Sequence, residues 1–142
     1  MSDVRTFRDL DAWQVAMSAV ELTYTLTSSF PSEERFGLVS QMRRAAVSVP
    51  SNIAEGQAVR APRWSLRHVV TAIGSVAELD TQLEAARRLR FAPDERARDL
   101  QRSLDRLRQL LYGMRREKER RIRLTIGGTA TLLLLSLARL LA

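Results

Sequence analysis

Few side chains in this 142-residue sequence could carry out a reaction. It contains no cysteine and one histidine, His68. Nucleophilic catalysis needs an activated Ser, Cys or Lys beside a base, and zinc sites need several His or Cys ligands. Asp80 and Glu84 stand one helical turn apart, which is also the spacing of a solvated helix face. The sequence therefore predicts no catalytic residue, no metal site and no cofactor, and it favours a protein that is not an enzyme.

Arginine dominates the charged residues and is concentrated in one segment. Of 23 basic residues 22 are arginine, and Lys118 is the exception. Residues 87–123 hold 14 basic and 6 acidic side chains, a net charge of +8, while the whole chain carries +7. Guanidinium groups suit phosphate recognition, so this segment predicts non-specific contact with the backbone of RNA or DNA. The candidate residues are Arg87, Arg88, Arg90, Arg98, Arg102, Arg106, Arg108, Arg115 and Arg116.

The alternative is that these arginines form a solvated face, partly offset by nearby aspartates. Base recognition would require aromatic side chains among the arginines, and only Phe91 and Tyr112 are available. A symmetric oligomer would repeat the basic segment around its axis and strengthen its field.

Residues 41–56 interrupt an apolar helical repeat with a proline. Pro50 has no N–H to donate and its ring clashes with the preceding turn, so the helix is predicted to kink or restart there. Nearby Ser and Asn side chains could satisfy the freed backbone groups, and Glu55 is predicted to pair with an arginine or to cap a neighbouring helix. A ligand or partner site at the kink is the alternative. The predicted kink motif consists of Arg43, Arg44, Ser48, Pro50, Asn52, Glu55 and Gly56.

Four segments with helical apolar spacing make up the first 123 residues, which are predicted to form one domain. The first carries a stripe of Leu10, Trp13, Met17, Val20 and Tyr24. The second begins at Ser32 as N-cap, includes Phe36 in its stripe and ends near Gly56 or about Val59. The third covers about residues 64–89. The fourth has a seam of Ala97, Leu100, Leu104, Leu107, Leu111 and Met114. Short connections between such segments predict an all-α, up-down-up-down four-helix bundle with a kinked second helix.

Residues 124–142 form a separate apolar segment. Residues 124–138 carry no charge, and fifteen helical residues span about 22 Å, less than the ~30 Å of a bilayer core. The segment is predicted to extend the fourth helix and pack on the bundle or in an oligomer, to contact a membrane, or to be disordered. The lack of cysteine and the charged first ten residues, which hold no apolar run, predict a cytoplasmic protein without a secretory signal.

Several motifs resemble a known family. They are Phe7-x-x-Leu10-x-x-Trp13-Gln14, the run from Phe30-Pro31 to Leu38, the stretch from Gln41 to Gly56, and Ala72-x-Gly74-Ser75-x-x-Glu78-Leu79. Over about residues 7–115 the chain resembles the four-helix-bundle proteins encoded in intervening sequences of 23S rRNA genes. The accessory variability determinant of diversity-generating retroelements is a relative of that family.

The resemblance implies a ring-like homopentamer. For the retroelement relative it implies work with a reverse transcriptase and nucleic acid, whereas most members have no established activity. Three functions remain open from the sequence: a scaffold that binds nucleic acid, a purely structural or protein-interaction oligomer, and a bundle attached to a membrane through its tail.

Overall fold

The computed structural model describes residues 6–59 and 61–140, with side chains as far as residue 128. Four α-helices account for most of this part: α1 (Asp11–Thr27), α2 (Leu38–Ala58), α3 (Pro62–Arg88) and α4 (Asp94–Leu140). Short 3-10 helices cover Phe7–Asp9 and Ser32–Phe36, and the described residues contain no strand. The predicted all-α fold is confirmed.

Contacts between helices follow an antiparallel register. Ser48 meets Ser75, and further along the same two helices Gly56 meets Ser65, so residue numbers rise on α2 while they fall on α3. Helices α3 and α4 are related in the same way, and α1 packs against both α2 and α4. Each helix therefore lies between two neighbours, as in an up-down-up-down four-helix bundle.

The leucine seam of α4 forms the centre of the core. Leu100, Leu104, Leu107 and Leu111 are fully buried, while Met114 is half-buried at the edge of the cluster. Burial of one leucine side chain stabilises the fold by about 1.5–3 kcal/mol. The spacing of 3 and 4 residues thus predicted the buried face of α4 correctly.

The apolar stripe predicted for α1 is not the face of the helix that is buried in the core. The buried residues of α1 are mostly small: Ala12, Ala16, Ala19, Thr23, Leu26 and Thr27. The large side chains of the predicted stripe lie beside this face, half-buried along the edge of the core, and Tyr24 is exposed. Small residues face inward because they let the helix axes approach closely, and the larger side chains then fit only at the flank.

Helix α2 begins later than predicted. Ser32 does not cap it but starts a 3-10 helix, and α2 itself begins at Leu38. The carboxylate of Glu34 accepts the Leu38 N–H at 2.9 Å, which satisfies one of the free donors at the start of α2. Phe36, expected in the apolar stripe, is 85% exposed because it belongs to the 3-10 helix.

Helix α2 runs through Pro50 and ends at Ala58, so it neither stops nor restarts at the proline. Ser51 Oγ and Asn52 Nδ2 donate to the carbonyls of Val47 and Ser48, each at 2.9 Å, and not to the carbonyl of Ala46, which Pro50 leaves without its helical donor. The bend itself stays a prediction. Gly56 does not end the helix; it is buried inside the last turn.

Helix α4 is continuous from Asp94 to Leu140 and crosses the predicted boundary at residue 124. Residues 141–142, and the side chains of 129–140, lie outside the described part of the chain. In that part, no helix has the length and apolar character needed to cross a bilayer. The division into a bundle and a tail stays a prediction.

Candidate nucleic-acid interface

Helical geometry places several arginines of α4 on the side opposite the leucine seam. Arg98, Arg102, Arg106 and Arg116 are all exposed there, while the seam residues between them are buried. With a rise of 1.5 Å per residue, the row from Arg98 to Arg116 is about 27 Å long. The outer face of α4 is therefore a basic ridge.

Four of the nine candidate arginines form ion pairs. Three pair with a carboxylate of the same helix: Arg88 with Glu84 at 2.8 Å, Arg102 with Asp99, and Arg115 with Glu119 at 2.8 Å. The hydrogen bond that Arg115 Nε donates to Glu119 also raises the pKa of Arg115 above its ordinary value.

Arg108, the fourth, joins α4 to α3. Its guanidinium donates to Asp80 Oδ2 at 2.8 Å and to Asp105 Oδ1 at 2.9 Å. Gln101 Nε2 donates to the other oxygen of Asp80 at 2.9 Å, and Arg87 donates to Gln101 Oε1 at 3.3 Å. Arg87 and Arg108 thus belong to a half-buried network between two helices and are not presented to a partner. Asp80, expected on a solvated face, holds this network together.

The remaining four candidates have no carboxylate within 4.0 Å among the described residues: Arg90, Arg98, Arg106 and Arg116. Arg90 also ends α3. It has a φ of 58°, and the Phe91 N–H reaches back to the Ala86 carbonyl at 2.9 Å, the bonding of a left-handed helix cap. Arg98, Arg106 and Arg116 are therefore the members of the ridge whose charge is not offset locally.

Of the two aromatic residues among the arginines that could stack on a base, Tyr112 is the exposed one. It is 40% exposed and lines an open depression of about 600 Å³ with Arg108, Gln109 and Arg116. Phe91 instead packs against Phe30, with ring centroids 5.9 Å apart, where the α1–α2 and α3–α4 connections meet. Phe91 is thus a packing residue.

A second cluster of charges lies further along α4. Glu117 accepts hydrogen bonds from Arg120 at 3.0 Å and from Arg121 at 2.8 Å. These two bonds, Arg120 first, lower the pKa of Glu117 to about 2, and Glu117 in turn raises the pKa of Arg120. The cluster therefore holds two more arginines in ion pairs at neutral pH.

The arginines of the kink motif do not pair with Glu55, so that prediction is wrong. Arg43 Nε donates to Thr27 Oγ1 at 3.0 Å, and its guanidinium lies 4.4 Å from the ring centroid of Tyr24. Arg44 donates to Gln41 at 2.7 Å and lies 3.7 Å from Glu78. Both arginines point away from the last turns of α2, because α1 and the middle of α3 are their neighbours.

Glu55 instead lies beside the histidine of α3. Its Oε2 is 3.3 Å from His68 Nδ1, and Asn52 Oδ1 is 3.2 Å from the same ring nitrogen. Asn52 Nδ2 also donates to Ser48 Oγ at 3.2 Å, and Ser48 Oγ is 2.8 Å from Ser75 Oγ. The motif therefore forms a polar ladder between α2 and α3, which fixes how these helices are aligned.

Lys118 and Ser65 look at first like a nucleophile beside a base. Lys118 Nζ donates to Ser65 Oγ at 2.6 Å, and burial lowers the pKa of the lysine. The Ser65 hydroxyl, however, donates to the Gly56 carbonyl and is buried, so it has neither a free proton nor access to a substrate. The pair joins α4 to α3 and, through the Gly56 carbonyl, to the end of α2. Lys118 is in phase with the leucine seam, four residues after Met114, and that spacing was the available signal for its burial.

Among the described residues, no three His, Cys, Asp or Glu side chains come together as metal ligands. The class of protein that these features define is a small antiparallel four-helix bundle with a polar α2–α3 ladder and an arginine-rich outer helix.

Comparisons with known proteins agree with this class. The model of the 23S rRNA-intervening sequence protein family matches residues 8–113, and the chain belongs to that family. A crystal structure from Bacteroides thetaiotaomicron, described as a protein of unknown function from the S23 ribosomal protein family, has the same fold. It aligns with a TM-score of 0.67 at 16% identity over 74% of this chain and 95% of its own. No protein with a curated description matches the chain. The predicted family is thereby confirmed, and neither match indicates an enzymatic family.

Proposed function

We propose that this protein is a non-enzymatic, homo-oligomeric scaffold that binds RNA or DNA without sequence preference through the outer face of α4. The observation that carries the proposal is the row of Arg98, Arg106 and Arg116, exposed and without a carboxylate nearby in the described part of the chain. Arginines already held by carboxylates add little, because a phosphate would have to displace an existing partner.

Phosphate contacts alone give affinity without sequence specificity. Tyr112, between Arg108 and Arg116, offers one stacking surface for a base and would favour single-stranded nucleic acid. One aromatic residue per subunit cannot read a sequence, so the expected partner is any sufficiently long polyanion. A reverse transcriptase or another nucleic-acid enzyme is the class of protein that such a scaffold would assist.

Self-association is supported by the large side chains that α1 leaves at the edge of the core. Trp13, Met17 and Val20 border a groove of about 280 Å³ together with Val47 and Pro50 of α2. Exposed apolar surface of this kind is typical of contacts between subunits. A homopentamer joined through this groove would place several copies of the basic ridge on one particle and raise its affinity for a long polyanion.

A filter-binding series tests the proposal. The full chain should bind single-stranded RNA at low salt, and the affinity should fall steeply as salt rises. No affinity at low salt, or affinity indifferent to salt, would leave only the structural oligomer.

A combined variant distinguishes a nucleic-acid-binding scaffold from a purely structural oligomer. Arg98→Gln, Arg102→Gln and Arg106→Gln together should weaken RNA binding while the solution mass, expected to be near five subunits, is unchanged. A fall in mass would instead assign these arginines to contacts between subunits. As a matched control for assembly, Val47→Asp should lower the mass because it places a charge in the α1–α2 groove.

A further inference from the structure

One end of the bundle exposes large apolar side chains. Trp64, in the first turn of α3, is 57% exposed, and Ile126 of α4 is 51% exposed. Trp64 and Ile126 line a groove of about 320 Å³ with Ile122. Contiguous apolar surface of this kind usually marks a contact with a partner or a membrane.

Arginines surround this apolar surface. Arg63 lines the groove, and the guanidinium of Arg67 lies 5.6 Å from the centroid of the Trp64 ring. Arg123 immediately follows Ile122 in α4. Among the described residues none of the three arginines has a carboxylate within 4.0 Å. The surface is therefore apolar at its centre and positively charged at its rim.

The chain continues from this surface as an apolar helix. Helix α4 runs without a break to Leu140, and residues 124–138 contain no charged side chain. Fifteen helical residues are about 22 Å long, too short to cross a hydrocarbon core of ~30 Å, but long enough to lie in a membrane interface.

We propose that this end of the bundle binds the surface of a membrane that contains anionic lipids. Trp64 and Ile126 enter the boundary between headgroups and acyl chains, the depth at which tryptophan is enriched in membrane proteins. Arg63, Arg67 and Arg123 contact lipid phosphates. The charge complementarity and the apolar centre together favour a lipid surface, because a polyanion such as RNA has no acyl region for these apolar side chains to enter. The surface is separate from the ridge of Arg98 and Arg106, so it goes beyond the proposed function.

Vesicle sedimentation with the full chain tests the proposal. The protein should sediment with vesicles of phosphatidylcholine mixed with phosphatidylglycerol and remain in solution with phosphatidylcholine alone. Binding should weaken as salt rises, since the headgroup contacts are screened. Tryptophan emission should shift to the blue on binding, and the shift should be absent in Trp64→Phe, which keeps Trp13.

Two variants identify the contact. Trp64→Gln with Ile126→Gln should reduce vesicle affinity roughly tenfold or more, because two large apolar side chains no longer leave water. Arg63→Gln with Arg67→Gln should reduce the preference for anionic vesicles. Both variants should keep the helical circular dichroism and the salt-dependent RNA affinity of the wild type. Conversely, Arg98→Gln with Arg106→Gln should lose RNA affinity and keep vesicle binding.

Three results would overturn the proposal. One is no sedimentation with anionic vesicles at low salt. Another is that the Trp64 and Ile126 variant sediments like the wild type. The third is that this variant lowers the solution mass, which would mean that a second copy of the chain covers the apolar surface. None of these results depends on whether the protein binds RNA.

Discussion

Asp80 of α3 and Arg108 of α4 form an ion pair across the bundle, with Arg108 Nη2 2.8 Å from Asp80 Oδ2. Gln101 donates to the same carboxylate from about two turns earlier on α4. The arginines of the basic segment thus fall into two groups. Some hold the fold together, as Arg108 does, or pair with a carboxylate of their own helix. The others present their charge to solvent. The proposed function depends on that division.

Loss of the Asp80 carboxylate should destabilise the bundle. Asp80→Ala leaves Arg108 and Gln101 without their shared acceptor in a half-buried position, so the free energy of unfolding should fall by about 1 kcal/mol in urea titrations. Asp99→Ala is the matched control, because its pair with Arg102 lies on the surface within one helix. It should cost less than about 0.5 kcal/mol. Equal losses in the two variants would contradict a structural role for Asp80.

Two glycines of neighbouring helices should respond in opposite directions to alanine. A Cβ on Gly56 would lie 3.1 Å from His68 Cβ and 3.3 Å from the Ser65 carbonyl, so Gly56→Ala should destabilise the protein by about 1–2 kcal/mol. A Cβ on Gly74 would meet nothing within 4 Å, and Gly74→Ala should stabilise by up to about 1 kcal/mol through helix propensity. Thermal unfolding of both variants provides the comparison. Stabilisation by Gly56→Ala would show that α2 and α3 are further apart than described.

Arg90 occupies a backbone conformation that favours glycine. Its φ of 58° costs an L-residue roughly 1 kcal/mol, so Arg90→Gly should raise the free energy of unfolding by about that amount. Ala85→Gly, inside α3, is the control and should destabilise by about 1 kcal/mol. Chemical denaturation measures both. A destabilised Arg90→Gly would mean that the Arg90 side chain has a packing role.

Glu117 should titrate unusually low and affect stability at acid pH. Its folded pKa of about 2 lies below the ordinary value of 4.5, so the unfolded chain binds the proton first as pH falls. The stabilisation is complete above pH 4.5 and is lost as pH falls toward 2. Carbon-13 NMR of the side-chain carboxyl should give a midpoint near 2. In Glu117→Gln this part of the acid dependence should disappear, whereas a midpoint near 4.5 would show that Arg120 and Arg121 are not held by Glu117.

The sequence was sufficient to predict the fold class, the family and the buried seam of α4. The leucines of α4 repeat at 3 and 4 residues and are all of one size, so their periodicity has one interpretation. On α1 two stripes lie side by side, one small and one large, and periodicity alone cannot show which of them faces the core. The distance between helix axes decides that, and it depends on the partner helices.

The partners of charged residues were less predictable than the helices. The sequence predicts that Glu55 pairs with an arginine or caps a neighbouring helix, whereas the antiparallel alignment of α2 and α3 brings His68 to it. Asp80 and Arg108 are 28 residues apart in sequence, and only the register of α3 against α4 places them together. Which arginines are ion-paired likewise depends on side-chain geometry, and the composition of the segment does not contain that information.

The measurement that tests the central claim most directly compares two triple variants that remove the same charge. One replaces Arg98, Arg106 and Arg116 by glutamine; the other replaces the ion-paired Arg88, Arg102 and Arg115. RNA binding is measured for both across a salt series. The first triple variant should bind RNA much more weakly, and the slope of log affinity against log salt should become less steep by roughly 2 to 3. The second triple variant should change the affinity and the slope only slightly. Equal effects of the two triple variants, or a larger effect of the second, would contradict the account.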